Sequence, residues 1–270
     1  MTLEPQSNPA RPSDSHKSDI RKSDIRKSDI RKSDIRKSDI RKSTSEPRLR
    51  GMDLVRPSLR DFTYLDCRRR AELIAEQAAK LPQVKNLLDV GGKGKPYACF
   101  FAGRVANHFV LDVAPALSVD VVGDARIMPF SDASMDVVLI TQVLEHIPDP
   151  IAVIDEIRRV LKPGGTLLLS VPSIFPQHGS PGDYWRYMPQ GLEWILRDFH
   201  SVTVKGEAGT VPSIFLVVNV YLQLITGPWP WLQELLEWTI CPLNNLAGLL
   251  AGKVYRGDQF ASNYFVVAVR

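Results

Sequence analysis

From Asp61 onward, short apolar runs alternate with mixed polar segments. Cys67 to Leu81 reads as an amphipathic helix with Leu73, Ile74, Ala78 and Leu81 near one face, closed by Pro82. Five apolar runs follow: NLLDVG (86–91), HFVLDV (108–113), VDVVGDA (119–125), MDVVLIT (135–141) and TLLLSVP (166–172). They are continuous rather than alternating, the pattern of strands buried on both faces of a parallel sheet. Between the fourth and fifth lies DPIAVIDEIRRVLKPGG. Asp149 can cap this helix, Pro150 suits its first turn, and Ile151, Ile154, Ile157, Val160 and Leu161 share a face. Pro163-Gly164-Gly165 then stops it. Strands alternating with helices predict a doubly wound α/β sheet, whose ligands sit outside the carboxyl ends of the strands.

The last third predicts two more strands, HSVTVKGE (200–207) and SNYFVVAVR (262–270), separated by an apolar insertion at about 208–252. No charge occurs from Ala208 to Gln233, and 235–252 carries only Glu237. Ser213 to Thr226 is 14 residues, short of the roughly 20 that a bilayer crossing needs. The expectation is an interfacial helical hairpin at a membrane surface, with Trp229, Trp231 and Trp238 at headgroup level. The competing expectation is a helical subdomain packed on the sheet, or a dimer interface.

The front of the chain is different. Residues 17–41 are five copies of KSDIR. A five-residue step turns about 140° on a helix and alternates faces on a strand, so the isoleucines form no stripe. Residues 1–58 are expected to be disordered, with 59–270 as the folded domain. Residues 1–58 hold 15 Lys+Arg against 9 Asp+Glu, and residues 59–270 hold 19 against 21. The basic excess therefore belongs to the front, and the folded part gives no electrostatic case for nucleic acid. Three scattered cysteines, without CxxC spacing, suggest neither a zinc site nor a disulfide framework, and no metal is expected. The first 19 residues lack the apolar core of a signal peptide, so the expected location is the cytoplasm, peripheral to a membrane.

The first run ends in a glycine loop, LLDVGGKGKPY (87–97). It lacks the hydroxyl partner of a GxxxxGK[ST] phosphate loop. It also lacks the third glycine of GxGxxG. A nucleoside without phosphates fits better: Asp112, ending the second run, suits ribose hydroxyls, and Asp124, after the third, suits an adenine amino group. Carboxylates are also acceptable near a sulfonium cation, whereas they would repel a phosphate.

The segments LLDVGGKG (87–94), VLDV (110–113), 123–150 and EIRRVLKPGGTLLLSVP (156–172) together resemble the class I S-adenosylmethionine-dependent methyltransferases, type-11 group. The resemblance covers roughly residues 67–206. It implies a Rossmann-like seven-stranded sheet and S-adenosyl-L-methionine as cofactor. It places Asp89, Gly91 and Gly92 in the cofactor loop, Asp112 on ribose, Asp124 and Ala125 beside adenine, and Thr141 and Gln142 at the methionine part. Glu145 and His146 match its LEH. Lys93 departs from it, standing where a glycine is usual. Either the neighbouring glycines take over the bend, or the chain is a catalytically inactive binding protein of the same fold. Catalytic candidates lie in the polar-aromatic loop 172–192, where His178 or Asp183 could act as base and Tyr184 and Trp185 could contact an acceptor. The acceptor class expected is a small molecule, a glycan or a lipid, with a sugar or lipid-linked glycan suggested and a quinone-like lipid also open.

Overall fold

The computed structural model describes residues 53–178, 182–255 and 257–270. The KSDIR repeats, and with them nearly all of the segment expected to be disordered, lie outside the described residues. The chain divides into two units, Met1–Glu46 and Pro47–Arg270, and the described residues all belong to the second.

Its elements are α1 (Tyr64–Lys80), β1 (Val84–Val90), α2 (Ala98–Phe101), β2 (Val105–Asp112), β3 (Val121–Val122), β4 (Met135–Thr141), α3 (Pro150–Val160), β5 (Leu161–Pro172), α4 (Pro189–Ile195), β6 (Ser201–Gly206), α5 (Thr210–Thr226), α6 (Pro230–Trp238), α7 (Ile240–Val254) and β7 (Asn263–Val269). The seven strands form one sheet in the order β3-β2-β1-β4-β5-β7-β6. Strands β1 to β5 pair in parallel, and β7 runs antiparallel to both β5 and β6.

The apolar runs are continuous because both faces of the sheet are covered. Leu87, Val137, Leu139, Leu168 and Phe265 point to the face closed by Leu73, Ile74 and Ala78 of α1, together with Tyr97 and Phe101. Leu88, Val138, Ile140, Leu169 and Val266 point to the other, closed by Val153, Ile154 and Ile157 of α3 and Leu192 of α4. Asp149 caps α3 by accepting from Ala152 N at 3.1 Å. Leu54 and Val55, just inside the segment read as tail, pack against the α1-side cluster.

The winding is thinner than the sequence suggests on the β1–β2–β3 side. The β1–β2 crossover holds only the four-residue α2. No helix lies between β2 and β4. Strand β3 is two residues long, shorter than its apolar run, because the Asp120 carboxylate takes the Val110 N–H (2.9 Å) that a strand carbonyl would otherwise accept.

The insertion between β6 and β7 is three helices, not a hairpin. Its inner face is a packed subdomain: Leu216 and Val220 of α5 meet Tyr64 and Leu65 of α1. The asparagines of this apolar stretch are paired. Asn219 donates to Asn245 (2.9 Å), Asn244 donates to Asn219 (2.8 Å), and Asn245 donates to the carbonyls of Leu59 and Asp61.

Beneath the insertion lies a buried polar network. Arg70 of α1 binds Glu207 (Nη2–Oε2 2.9 Å) and Ser170 of β5 (2.9 Å), and Ser170 donates to Glu207. Nearby, Asp66 accepts from Ser262 and Asn263. Burial, reinforced by the charge of Glu207, pushes Asp66 up to about 7, against 3.8 for an ordinary aspartate. As pH rises the unfolded chain therefore loses this proton first, and the folded state loses stability from about pH 4 to about pH 7. Asp66→Asn cannot ionise. Its unfolding temperature, measured by differential scanning calorimetry, should gain on the parent across that window and keep a constant advantage above it.

Candidate active site

Strand register builds the site's floor. Val90 stands opposite Leu111 of β2 and Ile140 of β4. The next residues, Gly91, Asp112 and Thr141, therefore form one row at the carboxyl edge of three neighbouring strands. Gly91 N–H donates to Leu111 O at 2.8 Å, which ties the start of the loop to β2. Three residues expected at the cofactor, each from a separate apolar run, are thus brought together.

The glycines have distinct reasons. Gly91 has φ 72°, and a Cβ there would lie 2.3 Å from Val143 Cγ2. A Cβ on Gly92 would lie 2.0 Å from Asp89 Cγ. The Asp89 carboxyl is 1% exposed and meets His108 Nε2 at 3.3 Å, so it supports the loop from below. Burial pushes Asp89 up, with His108 opposing.

Lys93 is exposed, and its backbone is not left-handed; the positive φ values here belong to Gly91, Gly94 and Lys95. The bend is carried by the neighbouring glycines Gly91 and Gly94 and by Lys95 (φ 51°), and Lys93 takes no part in it. Lys95 is held by its Nζ on His108 O (2.6 Å) and Asp120 (3.1 Å). Gly94 N–H donates to Ser118 Oγ (2.8 Å). His108, Ser118 and Val143 were missed from sequence because nothing in their local pattern marks them as loop supports.

The remaining cofactor candidates line the same edge. Asp112 Oδ1 accepts from Ala114 N (2.8 Å), turning the chain after β2. Asp124 is paired with Arg126 (2.6 Å), which lowers its pKa, and Ala125 is buried beside it. Gln142 follows Thr141 with φ 54°; its N–H donates to Ser170 O (2.8 Å) and its side chain to Ser170 Oγ (3.1 Å).

The polar-aromatic loop is stitched over the segment after β4. Tyr184 N donates to Glu145 O (2.8 Å), Trp185 Nε1 to Ile147 O (3.0 Å), and the Tyr187 hydroxyl to Leu144 O (3.1 Å). His178 and Asp183 are brought together: His178 N donates to Asp183 Oδ2 at 2.8 Å. Arg186 grips Asp183 at 2.5 and 2.6 Å and pulls it down to about 2. A carboxyl so held is a weak base at neutral pH. His178 has its Nε2 3.7 Å from Glu145 Oε1, and His146 its Nε2 3.8 Å from the same atom. The Glu145 carboxylate beside it pushes His178 up.

Residues 88–169 match the family described as Methyltransferase domain (Methyltransf_11). This segment is a methyltransferase domain. It runs from the end of β1 through most of β5, and so includes Asp89, Gly91, Gly92, Asp112, Asp124, Thr141 and Gln142. An uncharacterized methyltransferase of Mycobacterium sp. is 33% identical over 110 residues, 37% of this chain and 44% of the relative. A demethylmenaquinone methyltransferase of Renibacterium salmoninarum is 28% identical over 181 residues, 63% of this chain and 70% of the relative. A ubiquinone biosynthesis O-methyltransferase of Xanthomonas campestris is 34% identical over 116 residues, 37% and 48%. The chain thus spans less than half the length of the first and third of these. Among solved structures, the [4+2]-cyclase SpnF superposes with TM-score 0.50 at 19% identity, covering 76% of this chain and 81% of its own. That likeness is one of fold, the Rossmann-like class I methyltransferase fold.

The loop geometry gives a direct comparison around the methyltransferase domain's first turn. Gly91→Ala should destabilise by about 1–3 kcal/mol through its positive φ and the clash with Val143. Lys93→Gly should stay within about 1 kcal/mol of the parent, the usual cost of an added glycine. Urea denaturation of both variants checks this.

Proposed function

We propose that the chain is an S-adenosylmethionine-dependent methyltransferase acting on a small-molecule acceptor, and that the acceptor is a glycan or lipid-linked molecule met at a membrane surface. The observation that carries the first half is the row Gly91–Asp112–Thr141 at the carboxyl edge, with the left-handed turn at Gly91. The donor set fits the cofactor. Carboxylates at Asp112 and Asp124 suit a neutral nucleoside and a cation, not a phosphate chain, while the buried Asp89 braces the loop beneath them. Asp112 would hold the ribose, Asp124 and Ala125 the adenine side, and Thr141 and Gln142 the methionine part.

When bound, S-adenosylmethionine supplies an electrophilic methyl on a sulfonium. The protein's work is to align the acceptor and receive its proton. Asp183 is occupied by Arg186, so this role passes to the group around His178, which faces Glu145 and His146. The inactive-binder alternative rested on strain at Lys93, and the backbone there supplies none.

Isothermal calorimetry of the full chain with S-adenosylmethionine tests the cofactor half. The expected result is micromolar binding that weakens at least tenfold in Asp112→Ala; equal binding by the variant would remove Asp112 from the site.

The membrane half is supported by the outer face of the insertion. Ile214, Val218, Tyr221 and Ile225 of α5 are exposed, as are Leu243, Leu246 and Leu250 of α7, and Trp229, Trp231 and Trp238 are 50%, 67% and 63% exposed. No helix among the described residues is long and apolar enough to cross a membrane. Exposed apolar residues on α5 and α7, together with exposed tryptophans, suit the headgroup boundary. The full chain should co-sediment with vesicles of phosphatidylcholine and phosphatidylglycerol. The triple variant Trp229→Ser, Trp231→Ser, Trp238→Ser should remain in the supernatant, and sedimentation equal to the parent's would sink the reading.

A further inference from the structure

Glu145 is the most anomalous charged group described. It is 0% exposed, and among the described residues neither carboxylate oxygen has a hydrogen-bond partner. A buried carboxylate without donors is costly by several kcal/mol and calls for an explanation. The neighbours of Oε1 are two imidazole nitrogens, at 3.7 and 3.8 Å, too far for hydrogen bonds.

The imidazoles are oriented from behind. His146 Nδ1 lies 2.7 Å from Gly182 O, and a carbonyl only accepts, so Nδ1 carries a proton. The neutral ring then presents the Nε2 lone pair toward Glu145. His178 Nδ1 faces Pro176 O at 3.4 Å in the same sense. Two lone pairs and a carboxylate oxygen therefore converge, all within 4.8 Å of one another. Metal-binding histidines are characteristically held this way, the second ring nitrogen on a carbonyl or carboxylate. With both rings neutral and no cation between them, these three groups repel.

We propose that Glu145, His146 and His178 form a site for one divalent transition-metal ion of the zinc class. Two imidazoles and one carboxylate are borderline donors that suit such ions rather than Mg²⁺ or Ca²⁺. Zn²⁺ with ligands at about 2.0–2.2 Å separates them by roughly 3.4 Å in a tetrahedron, so the two Glu145–imidazole distances, 3.7 and 3.8 Å, close by a few tenths of an ångström, and the imidazole pair, within 4.8 Å, moves in to match. Three protein ligands leave a position for an oxygen from water or acceptor, whose pKa the ion would lower. The cysteines play no part, which is why their spacing gave no hint of a metal. The site deepens the methyl-transfer reading, since it would activate an acceptor hydroxyl, but it stands or falls separately from it. With an ion bound, His178 is a ligand rather than a base.

The test is Zn²⁺ titration of the chelator-treated full chain by calorimetry, with native mass spectrometry for stoichiometry and Co²⁺ absorption for geometry. One equivalent should bind, with intense visible Co²⁺ bands. Glu145→Gln, which keeps the shape, and His178→Ala should each weaken it at least about 100-fold. Zn²⁺ should raise the unfolding temperature of the parent and not of either variant. Substoichiometric binding, or Zn²⁺ affinity unchanged in both variants, would overturn the site and leave Glu145 neutralised by protonated histidine alone. S-adenosylmethionine affinity, measured in the same samples without added metal, tells failure of this site from failure of the cofactor pocket.

Discussion

The buried ion pair between Arg70 and Glu207 is the constraint on which the arrangement depends. Its partners come from α1 and from the connection leaving β6, and Ser170 near the carboxyl end of β5 bonds to both. A buried pair of this kind adds little net stability, because desolvation consumes much of the attraction, but losing one partner strands the other charge at a cost of about 3–5 kcal/mol. What it enforces is position. It holds α1 against the carboxyl half of the sheet, and α1 in turn offers Tyr64 and Leu65 as the seat of α5. Ser170 passes the constraint to Gln142, whose side chain it accepts and whose backbone is left-handed.

The second organising contact is between the loop after β5 and the segment after β4. Three residues, Tyr184, Trp185 and Tyr187, bond to carbonyls of Leu144, Glu145 and Ile147. Asp183 and Arg186 brace that loop internally, with Arg186 also reaching Phe175 O and Pro176 O. The acidic and aromatic residues that looked like chemistry in the sequence thus spend much of their bonding on architecture.

The central strands were legible because a sheet buried on both faces writes continuous apolar runs; β4 is found where the run MDVVLIT stands. Strand-end residues such as Asp112 and Thr141 were legible for the same reason, since a strand's end fixes its place at the edge. Strand β3 was overread because a carboxylate, Asp120, substitutes for backbone, which no apolar pattern reveals. Lys93 drew attention that belonged to Lys95: which residue bends left depends on partners at His108 and Asp120, distant in sequence. The solitude of Glu145 is a property of tertiary surroundings and has no sequence signature beyond its place in LEH.

The place of β7 has a consequence for how the molecule comes together. It follows β6 and the whole insertion in the chain, yet lies between β5 and β6. Until it is made, β5 keeps an open edge, and β6 has no strand to pair with. Sheet completion must therefore close a loop that contains three helices, and these separations slow folding more than they weaken the product. An open β5 edge beside an uncovered apolar insertion is a surface for mispairing during synthesis. The helices of the insertion, which gain their inner contacts from α1 rather than from the strand that follows them, are able to cover part of that surface before the last pairing forms.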